Sequence, residues 1–367
     1  MRLTVYIANA FTLPGAAATS GNPAAVVLLA PDQLAAATDG LRQRLAAAIG
    51  LSETAFVEPL DPGSASPDAF ATADAFRLRW FTPGSEVPLC GHATLASAAT
   101  IFSECGNAAP ALRFETLSGP LTVTRQQAGD GGGGGGGALL EMALPLCAAT
   151  DPLPAALVPA GGASGAPVAA LLAGGPPLAR LLAACLRGLP GAPPPGADAG
   201  VESDWLAGAV AHVGFSAPLR YLLVVLAPRF TGAAALTRLA PDPAALLGAA
   251  PPGAVGGVIV TCRGADGPGA AADGQPDAVD FVSRFFAPWL AVDEDPVTGS
   301  AHAVLGPYWA AALGETEVSA PRPVLRAAQL SARGGVLEVL VPPAAPPGRV
   351  LVRGAGAVVE RGERECE

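Results

Sequence analysis

The sequence predicts an α+β protein built from two small, similar domains, and three observations carry that expectation. The chain runs to 367 residues, more than one ordinary hydrophobic core accommodates. Its apolar residues fall mostly into short alternating runs bounded by Gly, Pro and Asn, with few helical stretches between them. Two of those helical stretches follow loops of matching design, Cys90-Gly91-His92-Ala93 and Thr298-Gly299-Ser300-Ala301. In each, a proline is followed by a nucleophile-type side chain, a glycine, a polar residue and a helix. A loop used twice implies two related domains that present helix N-termini to a shared cleft.

In order along the chain, Leu3, Val5 and Ile7 alternate as a buried strand. Gly21-Asn22-Pro23 turns the chain into a second strand from Ala24 to Leu29. Leu41, Leu45 and Ile49 share one helix face, and Gly50 ends that helix. The strand Ser52 to Val57 carries a carboxylate, Glu53, among apolar neighbours. A further strand, Phe76 to Phe81, leads through Thr82-Pro83-Gly84 to Cys90 and a helix ending near Phe102. Strand structure resumes from Phe114 to Val123, and the glycine run 131–137 reads as a lengthened hairpin tip. The Ala/Gly/Pro-rich stretch 148–199 predicts one helix, Leu178 to Leu186, within a loose insertion. Strands follow at 219–226, 255–262 and 281–286, with a short helix opened by Pro241-Asp242-Pro243. The helix after Thr298 reaches about Leu313, and the last strands lie near 329–332, 336–341 and 350–353. His212 is placed in a loop.

Composition excludes several functions. A net charge of −10 leaves no basic stripe for nucleic acid. No apolar run approaches the length of a membrane span, and residues 2–11 lack the pattern of a signal peptide. The six cysteines show no paired spacing, so neither a disulfide framework nor a zinc site is expected, and no cofactor is expected. Reduced thiols place the chain in the cytoplasm.

The chemistry concentrates around Glu294 to His302. Proline fixes the entry, glycine frees the backbone, and the first N–H groups of the following helix are free to bind a carboxylate or phosphate. Glu53 is the best candidate proton carrier, since burial among Leu51, Ala55 and Phe56 would raise its pKa toward neutrality; the plainer alternative is a solvated strand-end acid. His92, at a helix start, is expected as a neutral hydrogen-bonding partner. Asp295 is expected either to hold that imidazole or a substrate amine, or to act as an ordinary N-cap carboxylate. Ser300 bonds substrate or only backbone. Cys90 is read as lining the pocket, with a depressed pKa as the reactive alternative.

These motifs resemble a known family. Gly21-Asn22-Pro23, Ser52-Glu53-Thr54, Cys90-Gly91-His92-Ala93-Thr94, Phe285-Phe286-Ala287-Pro288, Glu294 to His302 and Gln329 to Gly335 occur in the order of the phenazine-biosynthesis PhzF-like isomerases, which have the diaminopimelate epimerase-like fold. The resemblance implies two pseudo-symmetric domains, each a curled, mostly antiparallel, barrel-like sheet around a central helix. These would span residues 1–125 and 126–349, with the tail 350–367 crossing back to complete the first. It implies cofactor-independent acid/base chemistry, with the glutamate matching Glu53 shuttling a proton. Residues matching His92, Asp295 and Ser300 complete the catalytic set, while Gly91, Gly299, Cys90, Thr298 and Asn22 bind a small carboxylate-bearing substrate. A homodimer is the expected assembly, with no nucleic-acid or membrane partner. Related racemases use two cysteines on opposite faces of the substrate; here the second position is Thr298, whose hydroxyl is far too weak an acid to replace a thiol. The alternatives are a scaffold with little catalysis and, more weakly, a cysteine-type racemase.

Overall fold

A computed structural model describes residues 1–60, 68–126, 138–159, 161–264, 279–314, 324–342 and 345–366. The glycine run 131–137 lies outside these residues. The described residues form one fifteen-stranded sheet, in which fourteen strands follow a single hydrogen-bonded path and the short strand Glu86–Val87 pairs beside it.

The path repeats itself. Arg2–Ala10 pairs antiparallel with Asn22–Leu28, which runs parallel to Thr54–Pro59; Ala75–Phe81 follows antiparallel, Ala111–Thr116 parallel, then Gly119–Arg125 and Ala138–Pro145 antiparallel. The second half runs Val210–Ser216, Tyr221–Leu226, Gly257–Arg263, Phe281–Phe286, Leu325–Gln329, Gly335–Leu340 and Arg349–Glu365 with the same succession of directions. Each half is thus mostly antiparallel with two parallel pairings. A parallel pairing needs a crossover, commonly a helix. In each half the second crossover carries the long central helix, Gly91–Glu104 and Gly299–Gly314.

The 17-residue strand Arg349–Glu365 serves both halves. Its first part pairs with Gly335–Leu340 and Ala138–Pro145, and its second part with Arg2–Ala10. That last pairing closes an eight-stranded barrel around the first central helix. The far edge of the second sheet, Val210–Ser216, is covered by an Asp151–Phe215 bridge and by Gly165 N–H donating to Val213 O at 2.9 Å.

Enclosure explains the helix sequences. Residues 92–102 of the first central helix are all buried, so it has no polar face to give to water. Its hydroxyls bond back within the helix, Ser97 to Ala93 O at 2.7 Å and Thr100 to Ala96 O at 2.9 Å. The second central helix contains Pro307, which cannot donate to Ala303 O; that carbonyl accepts from Cys147 N–H at 3.3 Å instead. Gly306 allows close packing, since a Cβ there would stand 2.7 Å from Val339 Cγ1.

Outer helices cover the sheets. Leu41 and Leu45 of Asp39–Ile49 pack with Leu3, Phe56 and Phe81. The stretch 148–199, expected as one helix in a loose insertion, instead contains Val168–Ala173 and Pro176–Cys185 and leads into Ala199–Ala209. Leu171, Leu181 and Leu206 from these helices bury against Val224, Val260 and Phe286. The correction has a simple cause: strands buried on both faces need an outer layer, and leucines spaced among the alanines supply it. His212, expected in a loop, lies on the strand Val210–Ser216 and packs against Tyr308. Among the described residues no helix is long and apolar enough to cross a membrane.

Candidate active site

The two central helices begin face to face. A Cβ on Gly91 would stand 3.8 Å from the Cα of Gly299 and 3.3 Å from Met142 Cε, so both glycines keep the seam open. Two helix N-termini converge there, each contributing partial positive charge and unpaired N–H groups.

From the first half come Glu53, Cys90 and His92. Glu53 immediately precedes the strand Thr54–Pro59, and Cys90 caps the helix that begins at Gly91. His92 Nε2 lies 3.2 Å from Glu53 Oε2, close enough for an ion pair though off the line of a hydrogen bond. On the other ring nitrogen, Nδ1 stands 3.5 Å from Cys90 Sγ.

The electrostatics correct two expectations, for Glu53 and His92, and go against the reactive alternative for Cys90. Burial pushes Glu53 up, but the nearby His92 charge, with the polar groups of His92, Ser52 and Cys90 beside the carboxylate, outweighs it, and its pKa falls below the usual value. Burial opposes the His92 imidazolium, yet the Cys90 sulfur and the Glu53 carboxylate push its pKa well above the usual value. Burial, followed by the Glu53 charge, raises the Cys90 thiol rather than depressing it. These directions favour a carboxylate–imidazolium pair beside a neutral thiol: the partners beside Glu53 and His92 outweigh burial, and burial holds the Cys90 proton in place.

From the second half come Asp295, Thr298 and Ser300. Asn22 Nδ2 donates to Asp295 Oδ1 at 2.8 Å and to Val297 O at 2.9 Å, linking the first half to the second. The Thr298 hydroxyl donates to Asp295 Oδ2. Burial raises Asp295, although the nearby His92 charge and the Thr298 and Asn22 hydrogen bonds oppose it. Ser300 Oγ lies 3.1 Å from the Tyr221 hydroxyl, so it does not bond backbone alone. His302 is fully buried with Nδ1 2.8 Å from Thr298 O, and burial lowers it to about 4; it is a neutral core residue.

Two residues of this site were not assigned from sequence. Gln329 is fully buried on the strand Leu325–Gln329; its Oε1 accepts from Thr298 N–H at 2.9 Å, and its Nε2 donates to Asp295 O at 2.8 Å and Thr298 Oγ1 at 3.1 Å. Tyr221 begins its strand beside Ser300, and burial raises it to about 12. A glutamine at the end of an apolar strand was the available signal for the first; Tyr221 offered none.

Sequence spacing hid another grouping. Glu53, Cys90 and His92 each offer a metal-ligating atom, and these atoms lie within 4.8 Å of one another, the one such group among the described residues.

Known proteins resemble the whole chain. The profile of a family described as phenazine biosynthesis-like protein matches residues 8–154 and 207–362. A phenazine biosynthesis-like domain-containing protein of Homo sapiens is 37% identical over 367 residues, covering 99% of each chain. A Pseudomonas aeruginosa protein named an uncharacterized isomerase is 34% identical over 320 residues, 87% of this chain and 86% of its own. Among solved structures, a phenazine biosynthesis protein of the PhzF family from Enterococcus faecalis superposes with a TM-score of 0.65 at 28% identity, covering 100% of both chains.

Proposed function

Since the chain belongs to the family of phenazine biosynthesis-like proteins, we propose that it is an isomerase that moves a proton on a small carboxylate-bearing substrate, with Glu53 as the proton carrier. The observation that carries this reading is the 3.2 Å Glu53–His92 contact beside two converging helix N-termini. Relatives of this chain named as isomerases support the reaction class.

The substrate carboxylate would bind the free N–H groups at the starts of the two central helices. Glu53 is ionised at rest and so ready to act as a base. A bound anion places a like charge beside it and raises its pKa at the moment it must accept a proton. The C–H electron pair then delocalises toward the substrate carboxylate, where helix N-termini and the His92 imidazolium stabilise the growing charge. Glu53, now neutral, returns the proton to the same or a neighbouring carbon and recovers its charge. Because Glu53 carries the proton throughout, the step requires no cofactor. Asp295, Ser300, Thr298 and Asn22 would orient the remainder of the substrate.

The test is proton exchange with solvent. Amino acids and cyclic hydroxy or amino carboxylates would be incubated with the protein in deuterated water and followed by NMR. The wild type is expected to wash label into one substrate class, and Glu53→Gln to slow this by about 10²–10⁴-fold. Undiminished exchange in Glu53→Gln would sink the assignment.

A further inference from the structure

The geometry points to a second use of the Glu53–Cys90–His92 cluster: it is a site for one thiophilic divalent cation such as Zn²⁺, and occupancy switches the proton-transfer site off. Cysteine sulfur, imidazole nitrogen and carboxylate oxygen are the three donor types that zinc favours, and three protein ligands with one open position is a common zinc arrangement. Here the three donors lie within 4.8 Å of one another. The Cys90 Sγ to His92 Nδ1 separation is 3.5 Å. Ligands about 2.3 Å and about 2.0–2.1 Å from one ion at a tetrahedral angle stand about 3.5 Å apart, so these two donors need little movement to share a cation.

The cluster is also incompletely satisfied without one. Glu53 Oε2 is buried with no aligned hydrogen-bond partner within the protein. Burial that disfavours bare charges is relieved by a divalent cation facing a carboxylate and a thiolate. On binding, Cys90 Sγ, a His92 ring nitrogen and a Glu53 oxygen each give a lone pair to the cation. The thiol proton and the imidazolium proton pass to solvent, and no oxidation occurs. Coordination occupies the carboxylate that would take the substrate proton and the imidazole that would stabilise the product of that transfer. A substrate carboxylate or water would complete the shell at the fourth position.

Binding stands apart from the proton-transfer reading, whereas inhibition rests on it. The decisive probe is Co²⁺ alone, added to the full chain, whose thiolate-to-cobalt absorption reports sulfur coordination. One equivalent is expected to give that band and Zn²⁺ to displace it. Cys90→Ser should abolish the band, Glu53→Gln and His92→Gln should weaken Co²⁺ binding at least tenfold, and Cys105→Ser, remote from the cluster, should retain the band. Circular dichroism establishes that each variant is folded. Absence of the band in the wild type, its survival in folded Cys90→Ser, or its loss in Cys105→Ser would overturn the site. Inhibition of deuterium exchange by Zn²⁺, reversed by a chelator, is the second expected result; bound zinc that leaves exchange unchanged or faster would overturn the switch. Should the wild type exchange no substrate, proton transfer fails as a reading while the cobalt band still decides the site.

Discussion

Glu53 and His92 shift each other in opposite directions, and that sets their contribution to stability against pH. Glu53 is lowered in the folded chain, so its contribution is complete above the unfolded value of about 4.3 and is lost as pH falls through the folded value. His92 is raised, so its contribution is complete below about 6.5 and is lost as pH climbs through its folded value. The pair therefore contributes most between about pH 4.3 and 6.5. Urea unfolding of the wild type and His92→Gln should differ most in that window and converge at alkaline pH; a gap that widens toward high pH would contradict the pairing. The direction of these shifts was not legible in the sequence. Position alone gave Glu53 apolar neighbours and a raised pKa, but the group that decides the matter, His92, is 39 positions away and enters only through folding.

At the scale of elements, the start of the second central helix is held from a neighbouring strand. Gln329 saturates three groups of the Asp295–Thr298 loop without touching the seam between the helices. Replacing it with Ala leaves a buried N–H and carbonyl without partners, a loss of about 1–3 kcal/mol for each group left unsatisfied. Thermal unfolding of Gln329→Ala measures it, and wild-type stability would mean that the loop finds other partners. The first central helix depends on packing alone: Leu95 is fully buried inside the barrel, and Leu95→Ala is expected to cost about 2–5 kcal/mol. Elements like these were readable because periodicity and punctuation are local. Cys90-Gly91-His92-Ala93 and Thr298-Gly299-Ser300-Ala301 announced two helix starts of one design. Pairings such as Tyr221 with Ser300 were not readable, because they join residues that no local pattern connects.

At the scale of the molecule, pseudo-symmetry of backbone coexists with asymmetry of chemistry. Glu53 precedes the third strand of the first half, and the residue preceding the matching strand of the second is Gly256. One side of the seam thus holds a carboxylate–imidazolium pair and the other a hydrogen-bonded Asp295, Thr298, Ser300 and Tyr221. The halves are joined by the strand Arg349–Glu365, whose pairing with Arg2–Ala10 closes the first barrel. Removing residues 356–366 would strip the first strand of that partner and expose an edge. The shortened chain is expected to aggregate, and a soluble, cooperatively unfolding product would refute this.

The shared strand also orders events during synthesis. Of the described strands it is the last to leave the ribosome, yet both sheets need it, one along Gly335–Leu340 and the other along Ala138–Pro145 and Arg2–Ala10. The nascent first half must wait, with its barrel open and its apolar central helix uncovered on one side, until more than two hundred further residues have been added. Closing so long a loop is slow, and the waiting intermediate is one that a chaperone would recognise.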